Sequence, residues 1–184
     1  ELEGRNRDLT ATSEILRVIS RSPTDVQPVF DTIVDNAERL FRAWTTYVFR
    51  FDGELLHLGA VRGPIQHSSR LAPIRPSPSL TVGRCVLARS VIHIADVEVD
   101  PDTSQESRQV ASAQGWRSAL AVPMMRDGQL TGVIMVTRPA AGAFDTDEVE
   151  LLKTFADQAI IAVENVRLFT ELQASNRELT TALD

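Results

Sequence analysis

The chain has 184 residues, 24% of them charged and 43% hydrophobic, with a formal net charge of −6 and a pI near 5.1. That length supports one domain with a real core plus helical extensions, and the acidic balance removes any general pull toward nucleic acid or anionic lipid. A single cysteine, Cys85, excludes an internal disulfide or a cysteine-based metal cluster and fits a reducing, cytoplasmic setting, while no apolar run approaches the roughly 18 residues needed for direct membrane insertion.

Residues 1–22 read as an incoming linker helix. Leu2, Leu9 and Leu16 stand at heptad spacing, thickened by Ile15, Val18 and Ile19. Ser22-Pro23-Thr24-Asp25 breaks it. Thr24 or Asp25 is then expected to cap a second helix with Pro28 in its first turn and Val26, Phe30, Ile33, Val34, Ala37, Leu40 and Phe41 on its buried face. Residues 44–51 are β-branched and aromatic and predict a strand, Asp52-Gly53 a hairpin turn, and 55–61 the return strand.

The Pro- and Ser-rich stretch 63–80, which contains His67, predicts a loop. Residues 82–89 predict a short helix, 90–94 a strand running out to Asp96, and 97–116 a loop with one helix around 107–114. Residues 117–125 and 129–137 flank Asp127-Gly128 as a second hairpin. Both of its strands are apolar at nearly every position, so the sheet should be covered on both faces. The sum is an α+β protein of three layers, a central antiparallel sheet with helices on both faces.

From Phe144 to Asp184 there is no Gly or Pro. Asp145 is the expected N-cap, with Glu148 three residues on and Phe144 stapled to Val149. Val149, Leu152, Ala156, Ala159, Val163 and Val166 step by three and four, with further apolar residues on neighbouring faces. That suits a helix held between its own domain and a partner. Beyond it, Phe169, Leu172, Asn176, Leu179 and Leu183 keep a strict 3-4-3-4 spacing, the seam of a coiled coil with one Asn fixing register. Residues 1–10 also repeat residues 171–180, matching at Glu, Leu, Asn, Arg, Leu and Thr. The same linker helix is therefore expected to enter and leave the domain, and the chain to be one bead excised from a longer protein.

Several motifs together carry a family resemblance. They are Arg50-Phe51-Asp52-Gly53-Glu54-Leu55-Leu56, Gly83-Arg84 opening the short helix, and Val91-Ile92-His93-Ile94-Ala95-Asp96-Val97. Gly115-Trp116-Arg117-Ser118-Ala119-Leu120-Ala121-Val122-Pro123, Gly132-Val133-Ile134, Phe144-Asp145-Thr146-Asp147-Glu148, Phe155-Ala156-Asp157-Gln158-Ala159 and Ala162-Val163-Glu164-Asn165 complete the set. As a set they resemble a GAF domain, the sensor module of many bacterial signalling proteins. Thr12 to Ser20 resembles the linkers of multi-domain bacterial histidine kinases and nucleotide cyclases. The resemblance implies a GAF-like three-layer fold with long N- and C-terminal coiled-coil helices, divided as linker helix 1–22, GAF domain 23–168 and signalling helix 169–184. It also implies a pocket between the sheet and the helices inserted after the second and third strands. Candidate ligand-binding residues there are Val82, Arg84, Cys85, Asp96, Ser107, Trp116, Ser118 and Leu120.

The family's better-defined activities can be tested residue by residue. Thr137-Arg138 stands where cyclic-nucleotide binders often carry Asn-Lys. Cys85 lies beside Gly83-Arg84 instead of a pigment-attachment motif, so no covalent bilin is expected. One cysteine cannot complete the thiol exchange of relatives that reduce methionine sulfoxide. His57 and His93 fall in strands and His67 in the loop, where structural roles are expected and haem is not. Asp96, Glu98, Asp100 and Asp102 alternate along a loop that lacks the Gly and bidentate Glu of a cation site, so no metal is expected. Asp96 is read as a cap or a ligand contact, Trp116 as core or a stacking surface, and Arg84 as a surface ion pair or a partner for an anionic ligand.

Three functional readings remain open on sequence. The first is a sensor whose small-molecule ligand closes the 97–116 segment and shifts a parallel homodimer of helices, passing the change to an output domain in the same chain. The dimer would be built on Leu2, Leu9, Leu16, Val163, Val166, Phe169, Leu172, Asn176 and Leu179. The second is a ligand-free dimerising spacer, its pocket filled by side chains such as Leu80, Val82 and Met135. The third is an enzyme, which would need a reactive Cys85 thiolate.

Overall fold

The computed structural model describes residues 2–64 and 73–183, apart from the side chains of Leu2, Ala182 and Leu183; His67 and the seam side chains of Leu2 and Leu183 therefore lie outside it. The elements are α1 (Leu2–Arg21), α2 (Gln27–Phe41), β1 (Thr45–Phe51), β2 (Leu56–Arg62), α3 (Thr81–Ala88), β3 (Ile92–Ile94), α4 (Gln105–Gln114), β4 (Ser118–Arg126), β5 (Gln129–Arg138) and α5 (Thr146–Leu183). The strands form one antiparallel sheet in the order β2-β1-β5-β4-β3. Both expected hairpins are present. Asp52 closes the first by accepting hydrogen bonds from the backbone N–H groups of Glu54 and Leu55. Asp127 and Gly128 close the second with φ of 47° and 75°, the left-handed pair that a two-residue turn requires.

Strand parity divides the sheet into two coats. Val48, Leu120, Val122, Met124, Ile134 and Val136 point to α1, α2 and α5 and share one core with Phe30, Phe41, Leu152 and Phe155. Tyr47, Phe49, Ala121, Val133 and Met135 point the other way, to α3. Helix starts follow local chemistry. Asp25 accepts from the Gln27 N–H at 2.9 Å, although by backbone geometry the α2 cap is Val26. Ser104 caps α4 by accepting from the Ser107 N–H, so the helix begins at Gln105, two residues ahead of the expected start. Asp145 and Glu148 form the reciprocal capping box at the head of α5.

Helices α1 and α5 lie side by side and run the same way. Gly4 and Asp8 share a cleft with Asp147 and Leu151, the Gln158 amide donates to the Thr12 carbonyl, and Ile19 shares a groove with Asn165 and Leu168. On α1 the side chains turned to the domain are Ala11, Ile15 and Ile19, whereas Leu9 and Leu16 are 66% and 47% exposed. Leu9 and Leu16 thus form an outward stripe, and Ala11, Ile15 and Ile19 beside it are the domain contact. Beyond Phe169, α5 leaves the domain with every described side chain exposed. At 1.5 Å per residue that free end is about 21 Å long.

Candidate ligand-binding site

Two rows of side chains cross the α3 face of the sheet. One runs Thr45–Thr137–Ala119–Ile94 and the next Tyr47–Met135–Ala121–Ile92. Val82, Cys85 and Val86 of α3 pack on the second row against Tyr47, Ala121 and Met135. Trp116, Ala111 and Val97 close over Ile94 and Ala119 at the far end of the first. Helix α3 can sit this low because residue 83 is glycine. A Cβ there would run into the backbone of Ser77, so the turn before α3 and the helix itself approach more closely than a side chain allows.

The two inserted helices meet at a polar seam. Ser104 donates to the Ser79 carbonyl at 2.7 Å while it caps α4, and the buried hydroxyls of Thr81 and Ser107 face each other at 3.3 Å. Arg84, one turn into α3, points at the same seam. Asp100 is its nearest carboxylate, at 3.5 Å, and that carboxylate is already hydrogen-bonded by the Thr103 hydroxyl at 2.6 Å. Arg84 Nη1 is buried and has no hydrogen-bond acceptor among the described residues. On the sheet, Thr45 and Thr137 share a hydroxyl hydrogen bond. Next to them Tyr47 is 2% exposed and its phenol oxygen lacks a hydrogen-bond partner among the described residues. Burial pushes the Tyr47 phenol up from its ordinary value, against the smaller opposing effect of the nearby Thr45 hydroxyl, which is itself engaged with Thr137.

The expected ligand residues divide into four groups. Val82 and Cys85 come together on the face just described, and Arg84 and Ser107 lie on the two helices that form the seam, paired with Asp100 and Thr81 respectively. Trp116 is buried in the neighbouring cluster, its indole N–H donating to the Gln114 side chain at 3.1 Å. Asp96, Ser118 and Leu120 are elsewhere. Asp96 is ion-paired with Arg117, whose hydrogen bonds hold its carboxyl below the usual range, and accepts from the Glu98 N–H. Ser118 donates to the Ala140 carbonyl, and Leu120 is buried under the helix coat. Parity is the cause: residues 118 and 120 point away from α3, residues 119 and 121 toward it. Thr45, Tyr47 and Thr137 were not among the candidates. An alternation within TTYVFRF would have marked them, but β1 is buried on both faces through its first five residues and shows none.

Cys85 is fully buried, and burial pushes its thiol up to about 12. A thiol in that state is not a nucleophile at neutral pH. Among the histidines, His57 pairs with Asp52 and His93 accepts from the Phe144 N–H at 2.9 Å. Among the described residues there is no group of three or more side chains that could hold a metal ion. A cleft of about 330 Å³ bordered by Val91, Pro123, Lys153 and Asp157 opens on the α5 side, away from these groups.

A chain of contacts runs from α3 to α5. Arg89, at the C-cap of α3, donates to the Gly128 carbonyl at the hairpin tip at 3.0 Å. Arg126, the last residue of β4 beside that turn, is ion-paired with Glu164 on α5, which also holds Arg167. The Arg167 hydrogen bonds, helped by Arg126, hold the Glu164 carboxyl down at about 2.

Residues 25–163 match the family model of the GAF domain. The chain belongs to the GAF family. No curated protein matches the sequence. Among solved structures, a GAF domain from a phosphoenolpyruvate-protein phosphotransferase of Coxiella burnetii superposes with a TM-score of 0.75 at 16% identity, over 90% of this chain and 97% of that one. A free methionine-R-sulfoxide reductase from Neisseria meningitidis, solved in complex with its substrate, gives 0.71 at 19% identity over 86% and 89%. A methyl-accepting chemotaxis protein fragment gives 0.69 at 21% identity over 86% and 98%. At these identities the likeness is one of fold. None of the described helices of this GAF domain is long and apolar enough to cross a membrane.

Proposed function

We propose that this GAF domain is the regulatory sensor module of a cytoplasmic bacterial signalling protein of the histidine kinase or nucleotide cyclase type. It binds a small molecule between the sheet and the α3–α4 layer and works through a dimer of its long helices, without chemistry of its own. The observation that carries the reading is the unpartnered Tyr47 phenol on the α3 face. A buried hydroxyl left without a partner is costly, and a ligand with a polar group at that point removes the cost. The substrate complex of the Neisseria reductase supports the capacity of the fold to hold a small molecule. The tie from Arg89 through the β4–β5 hairpin to Glu164 supplies a route by which a displaced α3 reaches α5. Ligand acts on output only if it binds one arrangement of these helices better than the other.

One observation favours a second reading, a ligand-free dimerising spacer. Val82 and Met135 are 6% and 7% exposed and pack with Tyr47 and Cys85 where a ligand would lie. Native mass spectrometry of freshly purified protein separates the two. The sensor reading expects a dimer with a reproducible non-covalent mass excess. A dimer without excess transfers the assignment to the spacer, and a clean monomer removes the helical dimer from both.

A further inference from the structure

We infer that the molecule sensed carries an anionic oxygen group, a carboxylate or a phosphate, bound by Arg84 at the seam between α3 and the segment leading into α4. The inference rests on the sensor reading and adds the chemical class of its ligand. Arg84 is the one charged residue of α3, and its side chain is only 18% exposed. A guanidinium that is merely structural spends its donors on a carboxylate or on carbonyls. Here Nη1 is buried and has no hydrogen-bond acceptor among the described residues. The nearest carboxylate, Asp100, forms only a long ion pair with it, at 3.5 Å, and is engaged by the Thr103 hydroxyl. On the same two helices, Thr81 one turn before Arg84 and Ser107 in the first turn of α4 are buried hydroxyls joined only by a long 3.3 Å hydrogen bond to each other. A cation beside weakly bonded hydroxyls is the complement of an oxyanion, which supplies both an acceptor and a countercharge where a neutral ligand supplies an acceptor alone. Asp100 is then the competitor that holds Arg84 weakly while the site is empty.

The test uses the whole protein as purified, and the probe is the compound it carries from the cell. Wild type, Arg84→Gln and Asp100→Asn are prepared side by side, checked for equal thermal midpoints, and compared by native mass spectrometry. Bound material is then released by denaturation and read in negative-ion mode. The expected result is an acidic compound released from wild type, its occupancy reduced roughly tenfold or more in Arg84→Gln, the loss of one charge-assisted hydrogen bond. In Asp100→Asn it should be retained at least as well as in wild type, because the competing carboxylate is gone. A purely structural ion pair predicts that both variants lose stability together and that neither alters occupancy, which would overturn the inference. Full retention in Arg84→Gln, or a released compound with no acidic group, overturns it while leaving the sensor reading in place. Wild type with no excess mass overturns both.

Discussion

Tyr47 shows how a single side chain separates fold from function. Its ring is stacked on Phe49 and buried in the α3-side core, where a phenylalanine would pack as well. Its oxygen finds no partner there. Tyr47→Phe should therefore stabilise the ligand-free domain by roughly 1 kcal/mol, since a buried polar group without a partner is removed at no loss of apolar contact. The check is a urea titration in which the midpoint rises at constant slope. A lower midpoint would mean that the hydroxyl is satisfied in solution and that it does not call for a ligand at this position. Part of the candidate site was legible in the sequence. Val82, Arg84 and Cys85 flank a recognisable Gly at the head of a short helix, and the Gly83 position does govern the close approach of that helix to the turn before it. Tyr47 was hidden, and Leu120 misplaced, for the same reason: strands covered on both faces lack the polar–apolar alternation that reveals which way a side chain points.

At the scale of elements, the informative joint is the one between the β4–β5 hairpin and α5. Glu164 is held as a carboxylate by Arg167 and Arg126. Its folded value lies below the ordinary 4.5, so its contribution to stability is present above that pH and is lost as pH falls toward about 2. Glu164→Gln should lack this acid-side decline, measured by thermal midpoints across pH 2–5. Amide exchange at residues 161–168 should also quicken, and unchanged exchange would show that the hairpin does not anchor the helix. The sequence made the helix heads readable where the spacing is local and reciprocal. Asp145 and Glu148 stand three apart and form the expected capping box. The salt link of Arg126 to Glu164 joins residues 38 apart, and no periodicity announces it. The start of α4 was missed because Ser104, its cap, sits among other polar loop residues that look alike in the sequence.

For the whole molecule, the outward stripe is the feature that sequence and structure divide between them. Heptad spacing marked Leu9, Leu16, Leu172 and Leu179, and these are exposed, whereas Val163 is partly buried against the domain's own core. A second copy laid parallel along α1 and α5 would cover the leucines, each worth roughly 1.5–3 kcal/mol when fully buried. Leu172→Lys with Leu179→Lys should convert a dimer to a monomer in light scattering, with the circular dichroism of the domain retained. A dimer that survives would place the interface elsewhere. The parallel course of α1 and α5 has a mechanical side as well. The chain comes in beside the head of α5 and goes out beyond the end of α1, so its two ends emerge at opposite poles of one axis. A load transmitted between flanking segments would slide the two helices along each other in shear. Every contact between them, from Asp8 to Ile19, would then bear that load at once instead of giving way one after another.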